Sequence, residues 1–357
     1  MTRHAHVVLI ALLMAAPALA QGQPPPQARI APAAGLRPLG DDARRVLEAI
    51  PDEGTPRPEL HYFRSNEWRQ DLLRPHLEGL GGAYVGVGSD QNYTMAAMAR
   101  SELLLLVDYD PLIPWVHAIY RVLVSESETP QALIDRFSDE AQAETAALLE
   151  RGLSDNPDRD RIVQHWRRRR GPWHAYLRRV QRLVRDGRPF SWLADPELYA
   201  YTRQLFRAGR IIAHNGDLTA DGTVRAVGDA ARRLGLTVRI VYFSNAEQFF
   251  PYTRTFVANM NALPTDERTV ALRTIRHRSI RIADEGRWHY MVHAFPDFVS
   301  RMETGSYTRS FALTADLLAA GPPFLGRNGI STMTADTPRF VLSRAGRAGT
   351  QAAEARQ

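Results

Sequence analysis

The chain has 357 residues, of which 45 are basic and 39 are acidic, so its formal net charge at pH 7 is only +6. This charge permits an anionic partner but does not require one, and nucleic acid is not the expected partner. No cysteine occurs, which excludes disulfides, thiolate nucleophiles and cysteine-ligated zinc. Every basic residue is arginine, which excludes lysine Schiff bases and a phosphate loop that ends in lysine.

The first twenty residues are typical of a cleaved secretory signal peptide. Arg3 gives a weakly basic start, residues 7–17 form a short apolar run, and residues 18–20 read Ala-Leu-Ala, a small-x-small cleavage pattern. The run is too short to span a bilayer. A twin-arginine pair is absent, which favours export of the unfolded chain. We therefore expect a periplasmic or secreted protein that meets its ligand outside the cytoplasm; the alternatives are an uncleaved anchor or a wrongly assigned start codon.

Composition divides the rest of the chain. Residues 21–40 are rich in Pro, Ala and Gln, which predicts a flexible linker. Residues 41–331 predict one Rossmann-like domain, which opens with helices over 41–80 that start near Asp41 and Ser65. A helical insertion is predicted at about 112–207. From 332 to 357 the residues are small or charged, which predicts a disordered tail.

Two βαβ units carry the predicted α/β fold. The first has an apolar run at 83–85, a glycine turn at 86–88, a helix at 93–99, and a continuous apolar run at 103–107 that ends in Asp108. The second has a strand at 210–213, a helix from 221 and a strand at 238–243. Continuously apolar strands are typical of parallel sheets covered on both faces. Residues 278–283 and 288–294 alternate around a polar turn and predict a hairpin at the sheet edge.

Ligands of open α/β sheets bind beyond the strand ends, where the chain order switches. Gly86 and Gly88 lack a Cβ and let the backbone approach a ligand closely. Asp108 follows Gly88 by 20 residues at a strand end, where a carboxylate can accept both hydroxyls of a ribose. The third glycine of the dinucleotide fingerprint is replaced by Gln91, which disfavours an NAD-dependent oxidoreductase. The alternative is that the glycines only permit tight packing and Asp108 caps a loop.

The segment Gly-Val-Gly-Ser-Asp-Gln-Asn-Tyr-Thr at 86–94, followed by the apolar strand ending in Asp108, resembles a bacterial family of uncharacterised methyltransferase-like proteins with a GVGxxQN-aromatic-T motif. Residues 216–217 and 242–248 fit the later part of the pattern. The resemblance covers roughly residues 60–275 and implies a mostly parallel sheet of the class I methyltransferase type. It also implies an S-adenosylmethionine pocket, whose candidate residues are Gly86, Gly88, Gln91, Asn92, Asp108, Asp217, Asn245 and Glu247.

Within that pocket, Asp217 and Glu247 are the candidate bases, while Gly86, Gly88, Gln91, Asn92, Asp108 and Asn245 are the candidate cofactor-binding residues. Two hypotheses stay open at this point. One is an exported methyltransferase-like enzyme of unknown substrate. The other is an exported, non-catalytic small-molecule-binding protein or pseudo-enzyme on the same fold, which export favours because S-adenosylmethionine is a cytoplasmic metabolite.

Two further patterns are less specific. Residues 167–170 are four consecutive arginines, which could contact an anionic lipid or glycan, although such a run is more often a solvated helix face. His289 and His293 are four residues apart, but the Glu of a zinc-protease helix is missing, since Tyr290 follows His289. The segment reads as a strand, so packed histidines are expected and no metal is predicted.

Overall fold

The computed structural model describes residues 36–284 and 286–341. The predicted signal peptide at 1–20, most of the predicted linker and residues 342–357 of the predicted tail lie outside these described residues. Within the described residues, no helix is both long enough and apolar enough to span a membrane.

Seven strands of the described residues form one twisted sheet, in the order β5-β2-β1-β6-β7-β8-β9. Their bounds are β1 Ala83–Gly86, β2 Leu103–Asp108, β5 Ile211–Asn215, β6 Val238–Tyr242, β7 Val270–Ile275, β8 His289–Ala294 and β9 Ile330–Met333. The first five strands in this order are parallel; β8 is antiparallel to β7, and β9 is parallel to β8. A separate two-stranded ribbon pairs β3 Val184–Arg185 with β4 Arg188–Pro189. The predicted mostly parallel α/β fold is confirmed.

The chain order switches at β1, which lies between β2 and β6. From β1 the chain builds outward through β2 to β5, then returns to the other side of β1 to form β6. Because the five parallel strands end at the same side of the sheet, we call that side the carboxyl edge. A switch point at this edge is where open α/β sheets bind ligands.

Helices cover both faces of the sheet. Their bounds are α1 Asp41–Glu48, α2 Arg74–Leu77, α3 Gln91–Ala99, α4 Ile113–Ser125, α5 Pro130–Asp135, α6 Gln142–Gly152, α7 Arg159–Gln181, α8 Pro196–Arg207, α9 Thr223–Arg233, α10 Arg254–Asn261, α11 Phe295–Glu303 and α12 Ser310–Ala320. In sequence, the helices α4 to α8 fall between β2 and β5, which are neighbours in the sheet. They occupy the residues for which a helical insertion is predicted, at about 112–207. They pack with α3 on one face, while α1 and α9 to α12 pack on the other.

Alternate side chains of each strand enter the two cores. Leu104 and Leu106 of β2 pack on the α3 side, and Leu103, Leu105 and Val107 pack on the α9 side; all five are 0–1% exposed. A strand buried on both faces must be apolar at every position. This explains why the continuous run at 103–107 predicted β2 correctly.

Three predicted elements differ from the structure. Residues 278–283 form no strand. Instead β8 pairs antiparallel with β7, which supplies a partner strand of equal length, and β9 then adds beyond β8. Residues 332 and 333, predicted to begin the tail, instead form the end of β9, where Met333 is buried. Between α1 and Gln70 the chain is irregular rather than helical, since prolines at 51, 56 and 58 interrupt it.

Candidate functional site

The glycine turn after β1 is held from inside by Asn92. The Asn92 amide donates from Nδ2 to the carbonyls of Val87 (2.9 Å) and Ser89 (2.8 Å), and its Oδ1 accepts from the Tyr84 hydroxyl at 2.9 Å. A Cβ on Gly86 would lie 2.5 Å from Asn92 Oδ1 and 2.5 Å from a ring carbon of Tyr84. Gly86 is therefore required by this packing, and Asn92, which is fully buried, shapes the turn rather than facing a ligand.

Gly88 is where the turn meets the end of β2. Its φ is +83°, a conformation that favours glycine, and its amide donates to Asp108 Oδ2 at 2.7 Å. The other carboxylate oxygen, Oδ1, accepts from the Asp110 amide at 2.9 Å. Gln91 lies over the same turn and accepts from the Ser89 hydroxyl at 3.1 Å. The structure thus brings Gly86, Gly88, Gln91, Asn92 and Asp108 together, as their spacing predicts.

Asp108 is half-buried. Burial disfavours its charged form and raises its pKa from 3.8 to about 6, although the amides of Asp110 and Gly88 oppose this shift. On the other side of the turn, His117 Nε2 lies 3.0 Å from the Gly88 carbonyl and Nδ1 lies 2.6 Å from the Tyr93 hydroxyl. Burial lowers the pKa of His117 to about 4. His117 is therefore neutral at pH 7, and it donates from Nε2 and accepts at Nδ1.

The irregular segment 49–69 crosses the carboxyl edge and covers part of it with carboxylates. Asp52 accepts a hydrogen bond, at 2.9 Å, from the backbone amide of Asn215, which ends β5. Glu53 accepts from the amides of Asp217 (2.6 Å), Gly222 (3.0 Å) and Thr223 (2.8 Å), at the start of α9. The chain itself therefore occupies the anion position that a helix start provides.

Asp217 does not meet the glycine turn through its side chain. Its Oδ1 accepts from the amide and the hydroxyl of Thr219, both at 2.7 Å, which is a turn-stabilising arrangement within the loop after β5. As a candidate base, Asp217 is engaged in local structure.

Glu67 covers the ends of β6 and β7. Its carboxylate is 2% exposed and accepts hydroxyl hydrogen bonds from Tyr242 (2.5 Å), Ser244 (2.6 Å) and Thr274 (3.0 Å). Burial raises the pKa of Glu67 despite these three donors. Asn245 follows Ser244 at the end of β6 and is half-buried, and no described contact joins its side chain to Gly88 or Asp108.

Glu247 points into the interior. Its carboxylate pairs with Arg273 of β7, with Nε to Oε2 at 2.5 Å, and accepts from the Tyr252 hydroxyl at 2.6 Å. Glu247 and Arg273 are both about 2% exposed. Arg273 Nη1 lies 3.2 Å from His293 Nδ1, and His293 Nε2 lies 2.7 Å from Asp297 Oδ2. Glu247 therefore belongs to a buried charge network in which both of its carboxylate oxygens are already engaged.

The sequence did not predict His61, whose Nδ1 lies 2.7 Å from Oδ2 of Asp110. Asp110 follows the end of β2, and its Oδ1 accepts from the Leu112 amide at 3.0 Å. The sequence contains the second acid, Asp110, two residues after Asp108, but gives no signal for His61, which comes from a segment with no periodic pattern. Among the described residues, no group of three or more His, Asp or Glu side chains is arranged to hold a metal ion.

The fold and this edge define a Rossmann-like α/β protein with an acidic site beside its switch point. A family model described as "Domain of unknown function (DUF7790)" matches residues 62–333, and the chain belongs to that family. No curated protein matches the chain. Among solved structures, the chain is similar to the rRNA methyltransferase aviRa from Streptomyces viridochromogenes, at 15% identity and a TM-score of 0.30, over 60% of this chain and 73% of that chain.

Proposed function

We propose that this is a methyltransferase-like protein that binds an S-adenosylmethionine-type ligand at the carboxyl edge, between the ends of β1 and β2. The observation that carries the proposal is the 2.7 Å contact between the Gly88 amide and Asp108 Oδ2. It fixes a half-buried carboxylate at the strand end next to the switch point. Ribose hydroxyls bind a strand-end acid at that position in related folds.

The residues present fit the sugar of such a ligand. The Asp108 carboxylate has about four lone-pair sites, and the amides of Gly88 and Asp110 use two of them. The remaining two can accept the two hydroxyls of a ribose. The Gly88 amide is already engaged by Asp108, so the carboxylate, and not the glycine turn, would hold the ligand.

When bound, S-adenosylmethionine supplies an electrophilic methyl group on its sulfonium. The chain's own part would be to hold the ribose through Asp108 and to keep the turn in place through Asn92 and His117. Neither Glu247 nor Asp217 supplies a base in this proposal, because each carboxylate is engaged within the protein.

A non-catalytic binding protein on the same fold is the second candidate. The Glu247–Arg273 pair favours it, since the pair removes one of the two bases that the sequence offered. Export would favour it too, because a chain that crosses the membrane unfolded meets no cytoplasmic cofactor.

Calorimetry on the mature protein tests the proposal, with S-adenosylmethionine, S-adenosylhomocysteine and NAD as titrants. We expect micromolar binding of the first two, loss of this binding in Asp108→Ala, and no binding of NAD. Asp229→Ala is the matched control, because Asp229 forms an exposed pair with Arg232. No binding of either adenosyl ligand to the wild type contradicts the proposal. Binding without turnover across a panel of methyl acceptors supports the second candidate.

We also propose export and an anionic surface contact. A reporter fused to residues 1–40 tests export, and retention in the cytoplasm contradicts it.

In α7, Arg167 pairs with Glu150 at 3.2 Å and Arg170 pairs with Asp139, which leaves Arg168 and Arg169 more exposed. Sedimentation with anionic vesicles tests the contact, with Arg168→Ala/Arg169→Ala as the variant that should bind more weakly.

A further inference from the structure

His61 and Asp110 form an oriented histidine–carboxylate pair at the surface. Their side chains are 22% and 8% exposed, and the Nδ1–Oδ2 distance is 2.7 Å. An ionised carboxylate only accepts hydrogen bonds, so the proton of neutral His61 lies on Nδ1 and the lone pair lies on Nε2. No hydrogen bond is described for Nε2. The pair therefore has the arrangement of a general base and the group that orients it.

This pair is next to the proposed adenosyl site. The Asp110 amide donates to Asp108 Oδ1 at 2.9 Å, while the Asp110 carboxylate faces His61. The Leu112 amide holds the second oxygen of Asp110 at 3.0 Å. One turn after β2 thus fixes both carboxylates, so a molecule at His61 would lie beside a ligand at Asp108.

Phe63 lies beside His61, and a series of ring contacts leads from Phe63 to two arginines. The His61 ring stacks on Phe63 with centroids 5.4 Å apart, and the Arg169 guanidinium lies 5.7 Å from the same Phe63 ring. Phe63 also contacts His165 at 4.5 Å, which contacts Trp115 at 6.2 Å, and Arg57 lies 5.8 Å from the Trp115 ring. Arg57 and Arg169 form no carboxylate ion pair among the described residues, and both are exposed. Their guanidinium groups are therefore available to pair with an anion.

We propose that His61 is the proton-accepting residue for an oxyanion-bearing second substrate, that Asp110 is its positioning residue, and that Arg57 and Arg169 attract the anion. The inference deepens the proposed function and rests on it. In the step, the substrate O–H proton moves to Nε2 and the electron pair of that bond stays on the substrate oxygen. The Asp110 carboxylate stabilises the imidazolium, which later releases the proton to water.

Inorganic phosphate and sulfate are matched probes for this site. Hydrogen phosphate carries both an O–H for Nε2 and oxyanions for the arginines, whereas sulfate carries only the oxyanions. Histidine side-chain NMR of the full chain at constant ionic strength follows His61, with the half-buried His277 as the internal reference. We expect phosphate to shift the His61 signals with a millimolar Kd and to bind about fivefold more tightly than sulfate, as one net hydrogen bond gives.

Substitutions test the roles of Asp110 and of the two arginines separately. Asp110→Asn should abolish the preference for phosphate and change the His61 nitrogen shifts to those of the other tautomer. Arg57→Ala/Arg169→Ala should weaken both anions by about tenfold and leave the tautomer unchanged. Equal binding of phosphate and sulfate, or no shift at His61, overturns the inference. These titrations contain no adenosyl ligand, so the two proposals fail separately. Phosphate binding with silent calorimetry contradicts the adenosyl proposal and leaves His61 an oxyanion-binding residue without its role toward a second substrate. Adenosyl binding with no phosphate shift at His61 contradicts only this inference.

Discussion

The Gly88 amide and the Asp108 carboxylate meet at 2.7 Å, although 20 residues separate them in the chain. This contact ties the turn after β1 to the end of β2. Because Asp110 is held by the other oxygen of the same carboxylate, Asp108 organises the described site at this edge.

Gly86→Ala should destabilise the protein by about 2–3 kcal/mol. The added Cβ would lie 2.5 Å from buried atoms of Asn92 and Tyr84, which have little room to move. Urea denaturation measures the loss. Gly40→Ala is the control, because a Cβ there meets nothing within 4 Å, and its effect should stay below about 1 kcal/mol. Equal effects of the two substitutions would show that Asn92 and Tyr84 can move to make room for the added Cβ.

Asn92→Ala should cost roughly 3 kcal/mol, because it leaves the carbonyls of Val87 and Ser89 and the Tyr84 hydroxyl without a buried partner. Thermal and urea unfolding measure it. The exposed Asn261 is the matched position, and Asn261→Ala should change stability by less than about 0.5 kcal/mol. A loss of ligand binding by Asn92→Ala with unchanged stability would instead favour a direct binding role.

Glu247→Gln should destabilise the protein by roughly 3–5 kcal/mol, since it leaves the buried Arg273 charge without its partner. Asp229→Asn, which breaks the exposed pair with Arg232, should cost at most about 1 kcal/mol. Adenosyl-ligand affinity of the folded Glu247→Gln protein should be unchanged. A stable variant that retains binding but loses a methyl-transfer activity would restore Glu247 as a base.

Ionisation of Asp108 should lower the stability of the protein as the pH rises. Its pKa rises from 3.8 to about 6 on folding, so the folded state binds the proton more tightly than the unfolded state. The Asp108 contribution is therefore most favourable below pH 4 and declines as pH rises to about 6. The unfolding free energy of the wild type minus that of Asp108→Asn should therefore fall from pH 4 to pH 7, because only the wild type has a carboxyl group that ionises at this position. A constant difference would mean that burial does not raise this pKa.

Sequence reasoning succeeded where local patterns decide the structure. The continuous apolar run at 103–107 could only be a strand covered on both faces, and the spacing from Gly88 to Asp108 placed both at one edge. That these residues bind a ligand stays a prediction. The roles of His61 and Glu67 depend on tertiary hydrogen bonds from a segment without periodicity. The partner of Glu247 could not be predicted either, because Arg273 lies in β7, 26 residues further along, and no local pattern links the two.

The most direct test is a crystal structure of the mature protein soaked with saturating S-adenosylhomocysteine. The account predicts ordered ligand at the carboxyl edge, with both ribose hydroxyls within hydrogen-bonding distance of the Asp108 carboxylate. Ligand bound elsewhere, or an Asp108 that contacts only the amides of Gly88 and Asp110 under saturating conditions, would contradict it.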